Sequence, residues 1–393
     1  MGPVSNIGVG LAEFASALQE GRSGISPITS FDTTGFPHVC AGEVRGFRPE
    51  RIVTRVDHRQ WGRSSLFAAA AARLAVDDAG LSDAEVEPDR VGVVIGTTCG
   101  ESQVVESLTK QVLQGGFSSE SADLVRQSPA NSLAYCVSEE IGATGESITV
   151  STACAASNYA LGYAFDRLRD GDYDVMVAGG ADSVCQWVHA GFFRLGTLAK
   201  ECCAPFDRDR AGILTAEGGA ALVLETIEHA RARGARVYAE VLGYGLNCDA
   251  DHMVAPNAAS VATCMRAAHR NAGITARDVD YICAHGTGTP ANDSAELSAI
   301  RDVFGDPPPP VSSIKSMLGH TMGAASGFGA IASAVAITMG FLAPTMNWNR
   351  PDAGMEAVDV VPRQARVFPV RVVQNDGFAF GGNNAILILA AAE

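Results

Sequence analysis

Short apolar runs rich in β-branched residues alternate along this chain with longer stretches of helical period. "RVGVVIGTT" (Arg90–Thr98), "ESITVST" (Glu146–Thr152), "DVMVAGG" (Asp174–Gly180) and "AALVLE" (Ala220–Glu225) read as buried strands. Between them, "SSLFAAAAARLAVDDAG" and "ASNYALGYAFDRLRDG" read as helices that stop at glycine. A second series repeats the alternation. "RVYAEVLGYG", "VDYICAHG", "VSSIKS" and "AILILAA" are strand-like, whereas "AASVATCMRAAHRNAG" and "SAELSAIRDVFG" are helix-like. This order predicts an α/β fold with largely buried sheets. The basic, alanine-rich stretch "ETIEHARARGAR" separates the series, dividing the chain into halves 1–235 and 236–393.

One segment needs a membrane check. "GAASGFGAIASAVAITMGFLAP", Gly323–Pro344, is uncharged, long enough to span a bilayer, and has Gly323 and Gly327 at small-xxx-small spacing. It is built mainly from Ala, Gly and Ser, however, and a polar Lys/His motif leads directly into it. It therefore reads as a helix buried inside a soluble protein.

Composition narrows the class. With 393 residues, 47% of them hydrophobic, the chain can bury a large core in two domains or two fused halves. A formal charge of −15 argues against a general nucleic-acid binder, yet a local basic patch could still meet an acidic protein. The ten cysteines include no Cys-x-x-Cys pair, which disfavours zinc, and "MGPVSNIGVG" lacks the pattern of a secretory leader. Free thiols in a reducing cytoplasm are expected.

Four motifs carry candidate chemistry. In "STACAAS", Cys154 follows a strand and opens a helix whose positive N-terminal end should favour the thiolate, although a buried structural cysteine would look the same. In "AHGTGTPANDSAE", His285 stands at a strand end, followed by the hydroxyls of Thr287 and Thr289; a satisfied core histidine is the ordinary alternative. "SSIKSMLGHTMGAASG" brings Lys315 and His320 to the start of the uncharged helix. Glu296 is a plausible partner for Lys315, which would also fit a purely structural ion pair. In "NDGFAFGGNNA", Phe378 and Phe380 sit beside Gly381 and Gly382, in a turn that could offer backbone N–H groups to an oxyanion or serve as a plain turn.

In this order the motifs resemble the β-ketoacyl-acyl carrier protein synthase family, most closely its elongating type. "PFDRDRAGILTAEGGAALVLE" (Pro205–Glu225) and "PTMNWNRPD" (Pro344–Asp352) extend the likeness beyond the catalytic motifs. The resemblance implies a thiolase fold: two topologically similar α/β halves in a five-layered α-β-α-β-α arrangement, working as a dimer. It implies Cys154 as nucleophile, His285 and His320 as paired histidines, and Lys315 and Glu296 as supporting polar residues. Thr287 and Thr289 match hydroxyls that contact the phosphopantetheine arm. Phe380 matches the gating residue whose N–H joins that of Cys154 in an oxyanion hole, with Phe378 beside it, and Phe193 aligns near the acyl pocket.

The implied reaction is decarboxylative condensation of an acyl-Cys intermediate with malonyl on acyl carrier protein, in fatty-acid or type II polyketide elongation. It needs neither metal nor redox cofactor, since phosphopantetheine arrives on the carrier. The resemblance leaves open a homodimer or a heterodimer with a chain-length-factor-like subunit. "FAFGGNN" lacks the second cysteine of degradative thiolases, and His320 stands where acyl-coenzyme A-dependent initiators usually have asparagine. Two other classes remain: a cysteine-dependent acyl hydrolase, which leaves one histidine and Lys315 without roles, and a scaffold partner of an active synthase, which the intact Cys/His/His set disfavours.

"ERIVTRVDHRQWGR" spaces Arg51, Arg55, Arg59 and Arg63 by four residues, as on one helical side. Arg55 and Arg59 match positions that meet the carrier protein in the family. Two departures stand out. The family's first strand normally precedes the equivalent of "GPVSNIG", so that strand is expected to be missing here, as from a misplaced start or a truncated chain. Ala379 replaces a glycine between the phenylalanines and is expected to stiffen the gate.

Overall fold

The computed structural model describes residues 1–81 and 86–392. Two sheets form its frame. In the first, strand Val91–Gly96 lies parallel to Ser147–Val150 on one side and to Val175–Asp182 on the other; Gly218–Glu225, Gly2–Ser5 and Gly8–Val9 continue it antiparallel. In the second, Tyr281–Cys283 lies parallel to Val311–Ser312 and Val372–Phe378; Asn383–Ala390 and Glu240–Cys248 continue it antiparallel. Both sheets thus run three parallel strands into antiparallel ones, three in the first sheet and two in the second, the internal likeness expected of two related halves.

Helices Ala156–Arg169 and Ala325–Met339 lie between the sheets. Leu161, Ala164, Phe328, Ile331 and Val335 bury against Met176, Leu222, Leu387 and Leu389. Outside the first sheet, Arg63–Asp78 and Ser132–Ile141 pack through Phe67, Ala68–Ala72, Leu133 and Val137 onto Val93, Ile95 and Val177. Outside the second, Ala258–Asn271 and Pro290–Phe304 pack through Val261, Met265, Leu297 and Ile300 onto Ile282, Ile386 and Ile388. The result is five layers, α-β-α-β-α.

The uncharged helix is the core of that stack. All residues from Ala325 to Ala336 are buried, so its hydropathy answers to the two flanking sheets. Gly2–Ser5 is itself a strand, paired with Gly218–Glu225 from Gly2 to Val4. One expectation is corrected. "VSSIKS" is strand only at Val311–Ser312, because Lys315–Leu318 turns into one helical turn that carries Lys315 inward.

Candidate active site

Cys154 sits where the edge strand of the first sheet gives way to the buried helix. Ala153 adopts φ 49°, a left-handed conformation that costs about 1–2 kcal/mol for a residue with Cβ and turns the chain sharply. Small residues beneath allow the close approach: a Cβ on Gly180 would lie 2.4 Å from Ser157 Oγ and 2.7 Å from Gly323 O. Cys154 is 5% exposed.

The helix end does not make Cys154 a resting thiolate. Burial dominates and pushes its pKa up to about 12, against the charge of Lys315 and the backbone N–H groups of Cys154 and Phe380, which pull it down. Those two N–H groups converge on Sγ, where they can also receive the oxyanion of an attacked thioester.

His285 follows strand Tyr281–Cys283, and His320 follows the turn Lys315–Leu318. Their rings lie 5.5 Å apart, edge to face. The N–H of Met322 donates to His320 Nδ1 over 3.1 Å, which places the His320 proton on Nε2. Lys315 Nζ donates to the His285 carbonyl and stands 3.5 Å from His285 Nδ1, so that imidazole also carries its proton on Nε2. Burial, then the Lys315 charge, holds both histidines well below their usual pKa. Two neutral imidazoles therefore present N–H donors at neutral pH.

Glu296 is not the direct ion partner expected for Lys315. Its carboxylate accepts the backbone N–H groups of His285 and Gly286, each at 2.7 Å, and Asn292 Nδ2 at 3.2 Å. Lys315 reaches the same segment through the His285 carbonyl. The two charges thus fix His285 from both sides of its peptide, coupled through space. Thr287 and Thr289 bond to each other through their hydroxyls at 2.8 Å. Their turn is held by Asp293, which accepts from the N–H groups of Thr287, Gly288 and Phe206.

Cys154, His285, His320, Thr287, Thr289, Phe378 and Phe380 line one pocket. Phe378 packs on His285 with ring centres 5.5 Å apart, and Phe380 packs on Phe192 at 6.0 Å. Phe192, not Phe193, lines this pocket; Phe193 turns toward Phe36 and His38, each ring 5.6 Å away. Gly381 and Gly382 have φ of 88° and 77°, whereas Ala379 stays outside the left-handed region, so alanine there imposes no backbone strain.

The arginine stripe is corrected. Residues 51–63 do not form a helix: Pro49–Arg51 and His58–Gln60 are short turns, and Arg63 starts the next helix. The buried carboxylate of Glu140 gathers the N–H groups of Thr54, Arg55 and Val56, while Asp57 caps the second turn. Arg63 pairs with buried Glu217, and Arg59 with Asp57. Arg55 and Arg59 remain exposed.

Several site residues escaped sequence reading. Asp182 is fully buried beneath Cys154's neighbourhood and accepts from Thr97, Thr98, Cys99 and Gly323, tying strand ends of the first sheet to the start of the central helix. An acid closing the otherwise apolar run "VMVAGGAD" was its signal. Asp249 and residues His252–Pro256 also line the pocket, and Gly381 N–H donates to Met253 O. No local pattern marks that loop, because its position follows from the turn it touches.

Five layers built from two like halves, with a cysteine at a strand-to-helix corner facing two imidazoles, define a thiolase-fold condensing enzyme. The Beta-ketoacyl synthase N-terminal domain matches residues 1–230 and the corresponding C-terminal domain residues 238–349. The chain belongs to the β-ketoacyl synthase family. It is 37% identical to 3-oxoacyl-acyl carrier protein synthase 2 of Coxiella burnetii, over 99% of this chain and 97% of that protein. It is 38% identical to nodulation protein E of Rhizobium meliloti, over 98% and 96% of the two chains. Among solved structures, the ishigamide ketosynthase/chain length factor superposes with a TM-score of 0.96 at 47% identity, covering 100% of this chain and 98% of that one. A type II PKS ketosynthase solved with its acyl-carrier protein gives 0.90 at 31%, with the same coverage.

Proposed function

We propose that this chain is an elongating ketosynthase that joins a carrier-bound acyl chain to a malonyl unit. The observation that carries the reading is the shared pocket of Cys154, His285 and His320, with both imidazoles fixed as neutral Nε2–H donors.

In the first half-reaction, Cys154 Sγ attacks the acyl thioester. The tetrahedral oxygen is held by the N–H groups of Cys154 and Phe380, and the cysteine proton leaves with the departing phosphopantetheine thiol. In the second, malonyl loses carbon dioxide, and its electron pair becomes an enolate whose oxygen receives two Nε2–H bonds. These bonds strengthen as charge develops, so they favour the transition state over the bound substrate. The enolate carbon then attacks the acyl-Cys carbonyl, expelling Sγ, and the chain grows by two carbons. Thr287 and Thr289 hold the phosphopantetheine arm, and Lys315 and Glu296 hold His285. No metal or redox group is needed.

The fitting partners are an acyl carrier protein, met by exposed Arg55 and Arg59, and a second subunit, either a copy of this chain or a chain-length-factor-like protein. The cytoplasm suits carrier-dependent chemistry. A cysteine hydrolase fits less well: each imidazole offers the pocket a proton rather than a lone pair, so neither is set as a general base toward Cys154. The test is intact-mass analysis after exposure to a panel of acyl-carrier proteins. A stable acyl adduct is expected on the wild type and none on Cys154→Ala; equal labelling of both would refute Cys154 as nucleophile.

A further inference from the structure

Behind His285 lies a second acid that the reaction above does not use. Asp376 is on strand Val372–Phe378, two residues before the ring that packs on His285, and is 2% exposed. Its Oδ1 accepts from Gln374 Nε2 at 2.9 Å, and Gln374 Oε1 faces His269 Nε2 at 2.8 Å. Its Oδ2 is buried with no donor in reach. The carboxyl of Glu296 stands beside the Asp376 side chain.

Two ionised carboxylates side by side would repel, and Oδ2 would remain an orphan at a cost of about 1–3 kcal/mol or more. One proton between them removes both penalties and makes a charge-assisted O–H···O bond. The surrounding charge agrees. Lys315 is the cation facing the pair, and Asp293, which also faces Glu296, has its own partner in Arg210 at 3.7 Å. Cys283 on the adjacent strand and Cys264 on the outer helix also face Asp376, both thiols with pKa raised chiefly by burial. His285 and His269 are neutral. One cation thus balances one negative charge shared by two carboxyls.

We propose that Asp376 is a positioning residue for the condensation: it keeps a proton on Oδ2 and donates it to Glu296, so that Glu296 stays aimed at the His285–Gly286 backbone. This rests on His285 acting as an enolate donor. Burial raises both carboxyls above their ordinary range, so the stabilising effect is complete at low pH and is lost as pH rises through the pair's titration. Above that point repulsion drives Glu296 from its two N–H partners and His285 loses its hold.

The test compares Asp376→Asn, which keeps a donor but cannot titrate, with Asp376→Ala, which has none. Malonyl-carrier decarboxylation and acyl loading of Cys154 are followed from about pH 6 to pH 10. Expected is an alkaline fall in wild-type decarboxylation that Asp376→Asn lacks. Asp376→Ala should be slower than Asp376→Asn by about tenfold, the loss of one hydrogen bond to a charged group, with loading changed far less. An Asp376→Asn profile that keeps the wild-type alkaline fall would overturn the proposal, whereas a His285→Ala enzyme that decarboxylates normally would overturn the enolate reading beneath it. Should Asp376→Ala fail to fold, infrared spectra decide between the other two proteins. A protonated carboxyl C=O band present at neutral pH in the wild type and absent in Asp376→Asn supports the shared proton; its absence from the wild type refutes it.

Discussion

Replacing His320 by alanine should separate two roles that one side chain performs. The imidazole Nδ1 accepts the buried N–H of Met322, and the substitution leaves that donor without a partner. A buried, unsatisfied N–H costs about 1–3 kcal/mol, so the urea midpoint should fall while the folding transition stays cooperative. The catalytic loss is distinct. Removing one donor from a pre-formed oxyanion site costs about 10²–10³ in rate, or roughly 2.7–4 kcal/mol. It should fall on malonyl decarboxylation, where enolate charge develops, and much less on acyl loading, where the N–H groups of Cys154 and Phe380 hold the oxygen. The assays are carbon dioxide release from malonyl-carrier protein and intact-mass kinetics of the Cys154 adduct. Loading that falls in step with decarboxylation, or decarboxylation within threefold of wild type, would refute the division of labour.

Three further outcomes are expected. In histidine-selective ¹⁵N NMR, His285 and His320, assigned by their alanine variants, should remain neutral Nε2–H tautomers from about pH 8 to pH 6, because burial and Lys315 depress both; protonation in that range would contradict this. Lys315→Ala should slow alkylation of Cys154 at fixed pH, since the ammonium favours the thiolate; unchanged or faster labelling would contradict it. Arg55→Glu combined with Arg59→Glu should lower carrier-dependent kcat/KM and flatten its salt dependence without changing the rate of alkylation of Cys154; an unaltered salt dependence would remove these arginines from docking.

Much of the site was legible because its residues stand where strands end. Period and glycine stops located strands Ser147–Val150 and Tyr281–Cys283 and both central helices, and so put Cys154 and His285 at strand ends. Burial of Gly323–Pro344 followed from its small residues. The arginine spacing misled, because a single buried carboxylate, Glu140, overrides helical period by collecting three consecutive N–H groups. The thiol's pKa misled for a related reason: the helix end was visible in sequence, whereas the depth of burial that outweighs it was not. Asp376 lies within a turn motif, yet its proximity to Glu296 joins a strand and a helix 80 residues apart, which spacing does not reveal.

The central claim is that Cys154 and the two imidazoles act on one pair of substrates in one pocket. A single turnover of acyl-Cys154 enzyme with malonyl-carrier protein, read by mass spectrometry of protein and carrier together, tests it most directly. Loss of the Cys154 adduct in step with appearance of a 3-oxoacyl carrier two carbons longer is the predicted result. Loss of the adduct to free acid, with no carbon–carbon bond formed, would contradict it.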